Sequence, residues 1–374
     1  MRETSFGERP LTPLEMSMTI TSMLIGVGIL SLPRALAKET VAFDGWMSIV
    51  LAGGVAMLLG MLVTKTALRT GGQPFLEYAS SLISRPLACV LAVLQGIYFL
   101  GFCGYETRAI ADISKQYLFN RTPVEYVSLA FVLVIVYAAS GSRSGILRLN
   151  VLFLPAVLLV VSVVVIFGYR WFEVENLQPL VVTSVTGILK GAKEVVFSLL
   201  GFEIILYYIA FMDKPEKAGK AVMAGIAVPV VVYLVIYQLA IGIFSNIGAV
   251  NIVYPTIELA KEISFPGNFF ERFESLFFVI WIMTVFNTAA MGFDLASECV
   301  SFLFKRLTKR VRILILAPLA YLVCMFPQNM SEFAKLGTLI SYFAVSFGIT
   351  IPILLLLVGR GNKGGAAKHG NGST

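Results

Sequence analysis

Glu203 stands in VVFSLLGFEIILYY, a run from Val195 to Tyr208 that is otherwise uncharged. A carboxylate near the centre of a bilayer costs roughly 2.5 to 3.5 kcal/mol on insertion scales, so something inside the protein must compensate it. Two chemistries do so: a substrate amine or proton held at a helix break, or a structural bond to another helix. Gly201, two residues earlier, marks such a break. A second weak point is IGVGILSLP, from Ile25 to Pro33, where Gly26 and Gly28 precede a proline that removes one more backbone donor. A helix interrupted at midspan leaves amides and carbonyls unpaired, and these are tolerated only where they line a cavity or bind something. Amides at the start of a half-helix suit a carboxylate, and carbonyls at the end of the other half suit an ammonium group or a cation. Together they describe a site for a zwitterion. The plainer reading of the glycines is close helix packing.

Other polar groups recur at helical spacing. Gln95, Tyr98, Phe102, Glu106 and Ala109 share one face, which is expected to point inward. Tyr98 and Phe102 fall near midspan and suit the wall of a small-ligand pocket, or plain packing. Glu106 and Arg108 fall near the outer end, as a gate or an interfacial ion pair. Thr284, Asn287, Thr288, Met291, Asp294 and Glu298 form a polar seam that lipid cannot face. Asn287 and Thr288 suit a ligand or a weakly held cation, or interhelical hydrogen bonds. Thr338, Tyr342 and Ser346 make a further inward face, read most simply as packing. Cys89, Cys103, Cys299 and Cys324 lie far apart, without zinc or disulfide spacing, and read as small packing residues. The single histidine, His369, lies in a Gly-rich tail. With no nucleophile and base pair, no metal ligands and no cofactor motif, an enzyme is not expected.

The elements that must hold these groups follow from composition. Of 374 residues, 57% are hydrophobic and 14% charged, and the uncharged intervals are about as long as a bilayer crossing. Reading between charges predicts an all-α integral membrane protein with ten transmembrane helices: Met16–Pro33, Gly45–Thr64, Pro86–Tyr105, Tyr126–Ser142, Leu149–Tyr169, Val195–Met212, Ala221–Ile247, Ser275–Phe293, Ile313–Ser331 and Leu336–Gly359. Most of the 29 Lys and Arg residues fall on the side of the termini, so both termini are expected to be cytoplasmic. The net charge of +7 is therefore topological, with no nucleic-acid partner. Nothing before Leu14 resembles a cleavable signal, so the first helix is expected to be retained. Segments 170–194 and 248–274 should carry short surface helices. Five helices per half, with breaks in the first helix of each, fit an inverted repeat: a tail over 1–13, one half over 14–169, an outer loop over 170–187, a second half over 188–359, and a disordered tail over 360–374.

GVGILSLPR, from Gly26 to Arg34, resembles the GxGIxxLP signature in the first helix of amino acid–polyamine–organocation transporters, and GFE at Gly201–Glu203 sits where their sixth helix unwinds. The length, ten spans and short tails more narrowly resemble the B subunit of the nutrient germinant receptors of bacterial spores. The resemblance implies a leucine-transporter-like fold that binds a small germinant, often an amino acid, in the spore inner membrane, alongside an A subunit and a lipoprotein C subunit. Carried over by position, Ile25, Gly26, Gly28 and Ile29 would supply the contacts of the first break, and Leu199, Leu200, Gly201, Phe202 and Glu203 those of the sixth. With Tyr98 and Phe102, these walls favour a small uncharged side chain. Proton-coupled relatives often carry a lysine on the fifth helix, and Leu149–Tyr169 has none, which favours sensing over pumping. The alternative is a stand-alone amino acid permease.

Overall fold

The first helix begins at a capping box: the Thr12 hydroxyl accepts the Glu15 amide at 3.2 Å, the Glu15 carboxylate accepts the Thr12 amide at 2.7 Å, and Pro13 takes the first helical position. The computed structural model describes residues 10–119, 121–262 and 273–366, with side chains described as far as residue 358. In chain order its helices are α1 (Pro13–Leu24), α2 (Gly28–Ala37), α3 (Gly45–Arg69), α4 (Phe75–Leu82), α5 (Arg85–Tyr117), α6 (Val124–Ser140), α7 (Arg143–Gly168) and α8 (Val185–Ser198). There follow α9 (Ile205–Tyr208), α10 (Ala218–Asn251), α11 (Pro255–Lys261), α12 (Phe273–Leu303), α13 (Lys309–Met325), α14 (Met330–Phe343) and α15 (Ile351–Ala366).

Six of the described helical segments are long and apolar enough to cross a bilayer. Two bent pairs bring the number to eight: α1 with α2, at 54°, and α8 with the segment Phe202–Phe211, at 41°. α6 and α13, 17 residues each, occupy the other two segments for which the sequence predicts spans. α5 corrects the rule that charges mark helix ends. It continues past Tyr105 to Tyr117, carrying Glu106, Arg108 and Asp112 inside it. The Arg108 Nε donates to Asp112 at 2.9 Å one turn on, so the pair neutralises itself and the helix need not stop. The second broken helix likewise starts at Val185, ten residues before the uncharged interval that marked it.

Equal-numbered helices of the two halves pack on each other: α5 on α12, α3 on α10, and α6 on α13. That is the layout of two related halves. α1 and α2 run through the middle, against α10, α7 and α8. The outer loop carries two short 3₁₀ turns, Tyr169–Trp171 and Val174–Leu177, and the Asp44 carboxylate pins it by accepting the amides of Val181, Val182 and Thr183 at 2.6, 2.8 and 2.8 Å. α11 is the short helix expected in the second loop, while 263–272 lie outside the described residues. α15 runs to Ala366, so the helix extends beyond Gly359, where the tail was expected to begin. Residues 1–9 and 367–374, with His369, lie outside the described residues.

Candidate functional site

Ile25, Gly26 and Val27 separate α1 from α2, and Leu199, Leu200 and Gly201 separate α8 from the segment beyond it. Gly201 has φ +124°, a conformation that side chains with a Cβ rarely adopt. Met23 lies against it: a Cβ at Gly201 would stand 2.8 Å from Met23 Cγ. The two breaks therefore touch, and their orphan backbone groups meet in one place.

The protein satisfies several of those groups itself. The Glu203 carboxylate accepts the Gly201 amide at 2.9 Å and the Tyr98 hydroxyl at 2.5 Å. The Glu106 carboxylate stands over the first break beside the Val27 amide, its oxygens 3.1 and 3.2 Å from where a Cβ on Gly26 would stand. Each break thus carries a buried carboxylate of the chain's own over an amide. On the carbonyl side, the Tyr233 hydroxyl lies 2.6 Å from the Leu24 oxygen and 3.1 Å from the Ser198 oxygen, which belong to the last residues of α1 and α8. The expectation of free amides for a ligand carboxylate and free carbonyls for its amine is corrected at these atoms, because carboxylates and a phenol from other elements reach them first. Tyr233→Phe leaves both carbonyls short of a donor in a buried setting, and the expected loss is about 1 to 3 kcal/mol of stability. Thermal unfolding of the purified variant measures it, and an unchanged midpoint would show that the carbonyls find water instead.

Above the breaks lies a cavity of about 290 Å³. Its walls come from α2, α5, α8 and α14, and among the expected site residues Gly26, Gly28, Tyr98, Phe102 and Leu200 line it. Ile25, Ile29, Leu199, Gly201, Phe202 and Glu203 are buried but do not line it; Glu203 stands behind Tyr98. A π-helical stretch at Ala344–Thr350 packs on Glu203 from the other side, where a Cβ at Gly348 would come within 2.7 Å of its Cγ. Gln95 belongs to the same inward face, accepting from the Tyr207 hydroxyl and donating to the Phe347 carbonyl at 3.0 Å.

The polar seam of α12 is buried as expected, apart from half-buried Glu298, but it does not reach the cavity. Thr288 donates to the oxygens of Ser22 and Thr284 at 3.3 and 2.9 Å. Asn287 is fully buried and neither side-chain atom finds a protein partner, nor does the Thr284 hydroxyl. Farther along, Arg143 holds Asp294 at 2.6 Å and Glu298 at 2.9 Å. On α14, Thr338 and Ser341 line the cavity, whereas Tyr342, and Ser346 in the π-helical stretch beyond, are exposed and do not line it.

Sequence reasoning missed Glu106, Glu194 and Ser198 as lining residues. The signal for Glu106 was present, since it lies one turn beyond Phe102 on the face that Tyr98 defines. Its charge argued for the membrane surface, and the length of α5 places it in the interior instead, 3% exposed.

The cavity lies among the α2 and α8 halves of the two broken helices, and the other two halves are joined at their far ends. There the Leu11 amide donates to the Phe211 carbonyl at 2.8 Å and the Asp213 amide to the Leu11 carbonyl at 2.9 Å, fastening the start of the chain to the end of the second broken helix. A cavity over two broken helices at the centre of the bundle is the architecture of alternating-access transporters. The solved structures similar to this chain are of that kind. Mhp1, a nucleobase-cation-symport-1 family transporter solved in a closed conformation with bromovinylhydantoin bound, superposes with a TM-score of 0.65 over 94% of this chain and 79% of its own, at 17% identity. MhsT, solved in complex with L-phenylalanine, superposes with a TM-score of 0.68 over 91% of this chain and 87% of its own, at 12% identity. At such identities the likeness shows the fold, the leucine-transporter type, and no more.

Sequence relatives are closer. The spore germination protein GerLB of Bacillus cereus is 35% identical over 360 residues, 96% of each chain. The spore germination protein YndE of Bacillus subtilis is 30% identical over 356 residues, 95% of this chain and 98% of its own. A family model described as "Spore germination protein" matches residues 10–333, which takes in every helix before α14. With the fold, the broken helices and relatives that match nearly end to end, the chain is an integral membrane protein that belongs to the spore germination protein family.

Proposed function

We propose that this protein is the membrane-embedded sensing subunit of a spore nutrient receptor, and that a small molecule, an amino acid in the first instance, occupies the cavity over the two helix breaks. The observation that carries the reading is the cavity itself. At about 290 Å³ it suits a metabolite rather than a drug-sized ligand. It also rests on both breaks, whose relative tilt is what a conformational switch would change. Binding shifts the balance between bundle conformations by the ligand's differential affinity for them. Partner subunits of the A and C types read the shift, in the spore inner membrane, with both termini on the cytoplasmic side as the distribution of Lys and Arg suggests. MhsT supports the choice of an amino acid, since the same fold holds L-phenylalanine there. A permease acting alone is the second reading, favoured by the two broken helices that alternating-access transporters share.

Ser31 offers a test. It lines the cavity, and its hydroxyl bonds only weakly, at 3.5 Å, to the Gly28 carbonyl of its own helix, so Ser31→Phe fills space without removing a structural bond. Wild-type protein in nanodiscs is expected to gain thermal stability with at least one of L-alanine, L-valine and L-leucine, in proportion to RT ln(1 + [L]/Kd), and Ser31→Phe to gain none. Equal shifts in both proteins would place the ligand elsewhere. Accumulation of labelled amino acid against a gradient in liposomes holding this chain alone would favour the permease.

A further inference from the structure

Glu106 is the side chain whose position the fold leaves without an explanation. It is 3% exposed and lines the cavity, and Oε2 is buried with no hydrogen-bond partner in the protein. The carboxylate stands beside the Val27 amide, but among the described lining residues of the cavity there is no Lys or Arg to balance its charge. A second carboxylate, Glu194, lines the same cavity, half-buried. Lys193, beside it in sequence, does not line the cavity, and its Nζ lies over the rings of Phe197 and Tyr342, at 5.5 and 5.7 Å. A buried carboxylate is expensive unless it is paired, and this one faces an open space rather than a partner.

The walls beside it complete the chemistry. Tyr98, Phe102 and Tyr105 lie on the same helix as Glu106 and line the cavity with aromatic rings, the first two with centroids 6.4 Å apart. Aromatic faces attract cations, most strongly where water is excluded. A ligand carboxylate finds the opposite at the breaks: Glu106 stands beside the Val27 amide and Glu203 takes the Gly201 amide, so a second anion there would meet like charge.

We propose that Glu106 anchors the ligand's ammonium group, so that the site selects first for an amine: an amino acid held by its amino end, or a small organic amine of similar size. The ammonium group sits between the Glu106 carboxylate and the aromatic walls, and the rest of the ligand extends toward α8 and α14. This assignment rests on the cavity being the ligand site, and adds which end of the ligand is recognised and by what.

The test uses the full chain in nanodiscs and a matched panel of probes. L-alanine, L-valine and L-leucine are compared with their amines (ethylamine, isobutylamine, isoamylamine) and their deaminated acids (propionate, 3-methylbutanoate, 4-methylpentanoate), by calorimetry and thermal shift. At least one amino acid and its amine are expected to bind and the corresponding acid not to. Glu106→Gln, which keeps shape and an acceptor beside the Val27 amide, is expected to weaken the amine about ten-fold or more, as loss of a charge-assisted hydrogen bond does. Glu106→Asp, charged but shorter, is expected to retain part of the affinity, which separates a charge role from a folding defect. Unchanged affinity in Glu106→Gln, with binding still abolished by Ser31→Phe, would overturn the anchor and leave the cavity as the ligand site. Binding of an acid in preference to its amine would reverse the orientation and overturn it too. Failure of every probe to bind the wild-type protein would remove both the anchor and the amino acid reading beneath it.

Discussion

Arg143→Ala is expected to destabilise the protein by about 3 to 5 kcal/mol, the cost of leaving a buried charge without its partner. Arg143, at the start of α7, donates to Asp294 at 2.6 Å, and Asp294 is 2% exposed. The same guanidinium sits 5.6 Å from the Phe211 ring centroid, and the Tyr208 hydroxyl donates to Asp294 at 3.4 Å. Those contacts tie the second broken helix to α7 and α12. Thermal unfolding in nanodiscs should show the loss, and Asp294→Asn added to Arg143→Ala should recover much of it, because the double variant has no stranded charge. Glu298→Gln is the contrast. Its side chain is 29% exposed, so its share of Arg143 is screened and the expected loss is below about 1 kcal/mol. A double variant no more stable than Arg143→Ala would mean that the node is held by packing rather than charge.

Gly201→Ala is expected to cost about 1 to 3 kcal/mol from backbone strain alone, because φ +124° disfavours any residue with a Cβ. To that is added the overlap of the new methyl with Met23 Cγ at 2.8 Å. The strain cannot be relieved locally without moving the Gly201 amide off the Glu203 carboxylate, and with it the Tyr98 hydroxyl that shares that carboxylate. Ligand-dependent stabilisation should therefore disappear together with stability. Gly54→Ala is the matched control, in mid-α3, where a Cβ meets nothing within 4 Å; it is expected to be neutral or slightly stabilising through helix propensity. If both alanine variants keep wild-type stability and ligand response, the second break is not a constrained element.

Comparison of the two glycines at the breaks explains what a linear reading reaches. Gly201 and Gly26 were legible as interruptions because they sit inside apolar runs, where a small residue beside a charge or a proline has few other uses. Glu203 was legible as compensated because the bilayer makes an isolated carboxylate so costly. Which group compensates it was not legible, since Tyr98 is 105 positions away in the chain. The same holds for the zwitterion reading. It counted the orphan backbone groups of each break correctly but had no means of knowing that Tyr233 and Glu106 arrive at them from α10 and α5.

The sequence by itself determined that the chain is a membrane bundle, where two of its helices break, and, through GVGILSLPR and GFE, the family to which it belongs. These are local properties: apolar length, the spacing of charges and the backbone freedom of glycine act over a few turns of helix. Only the tertiary structure decided that Glu106 belongs at the centre, that the seam of α12 stays apart from the cavity, and that Arg143 ties the second broken helix to α7 and α12. Burying charge is costly without a partner, and the partners of Glu203 and Asp294 lie on other helices, at distances along the chain that no local pattern encodes.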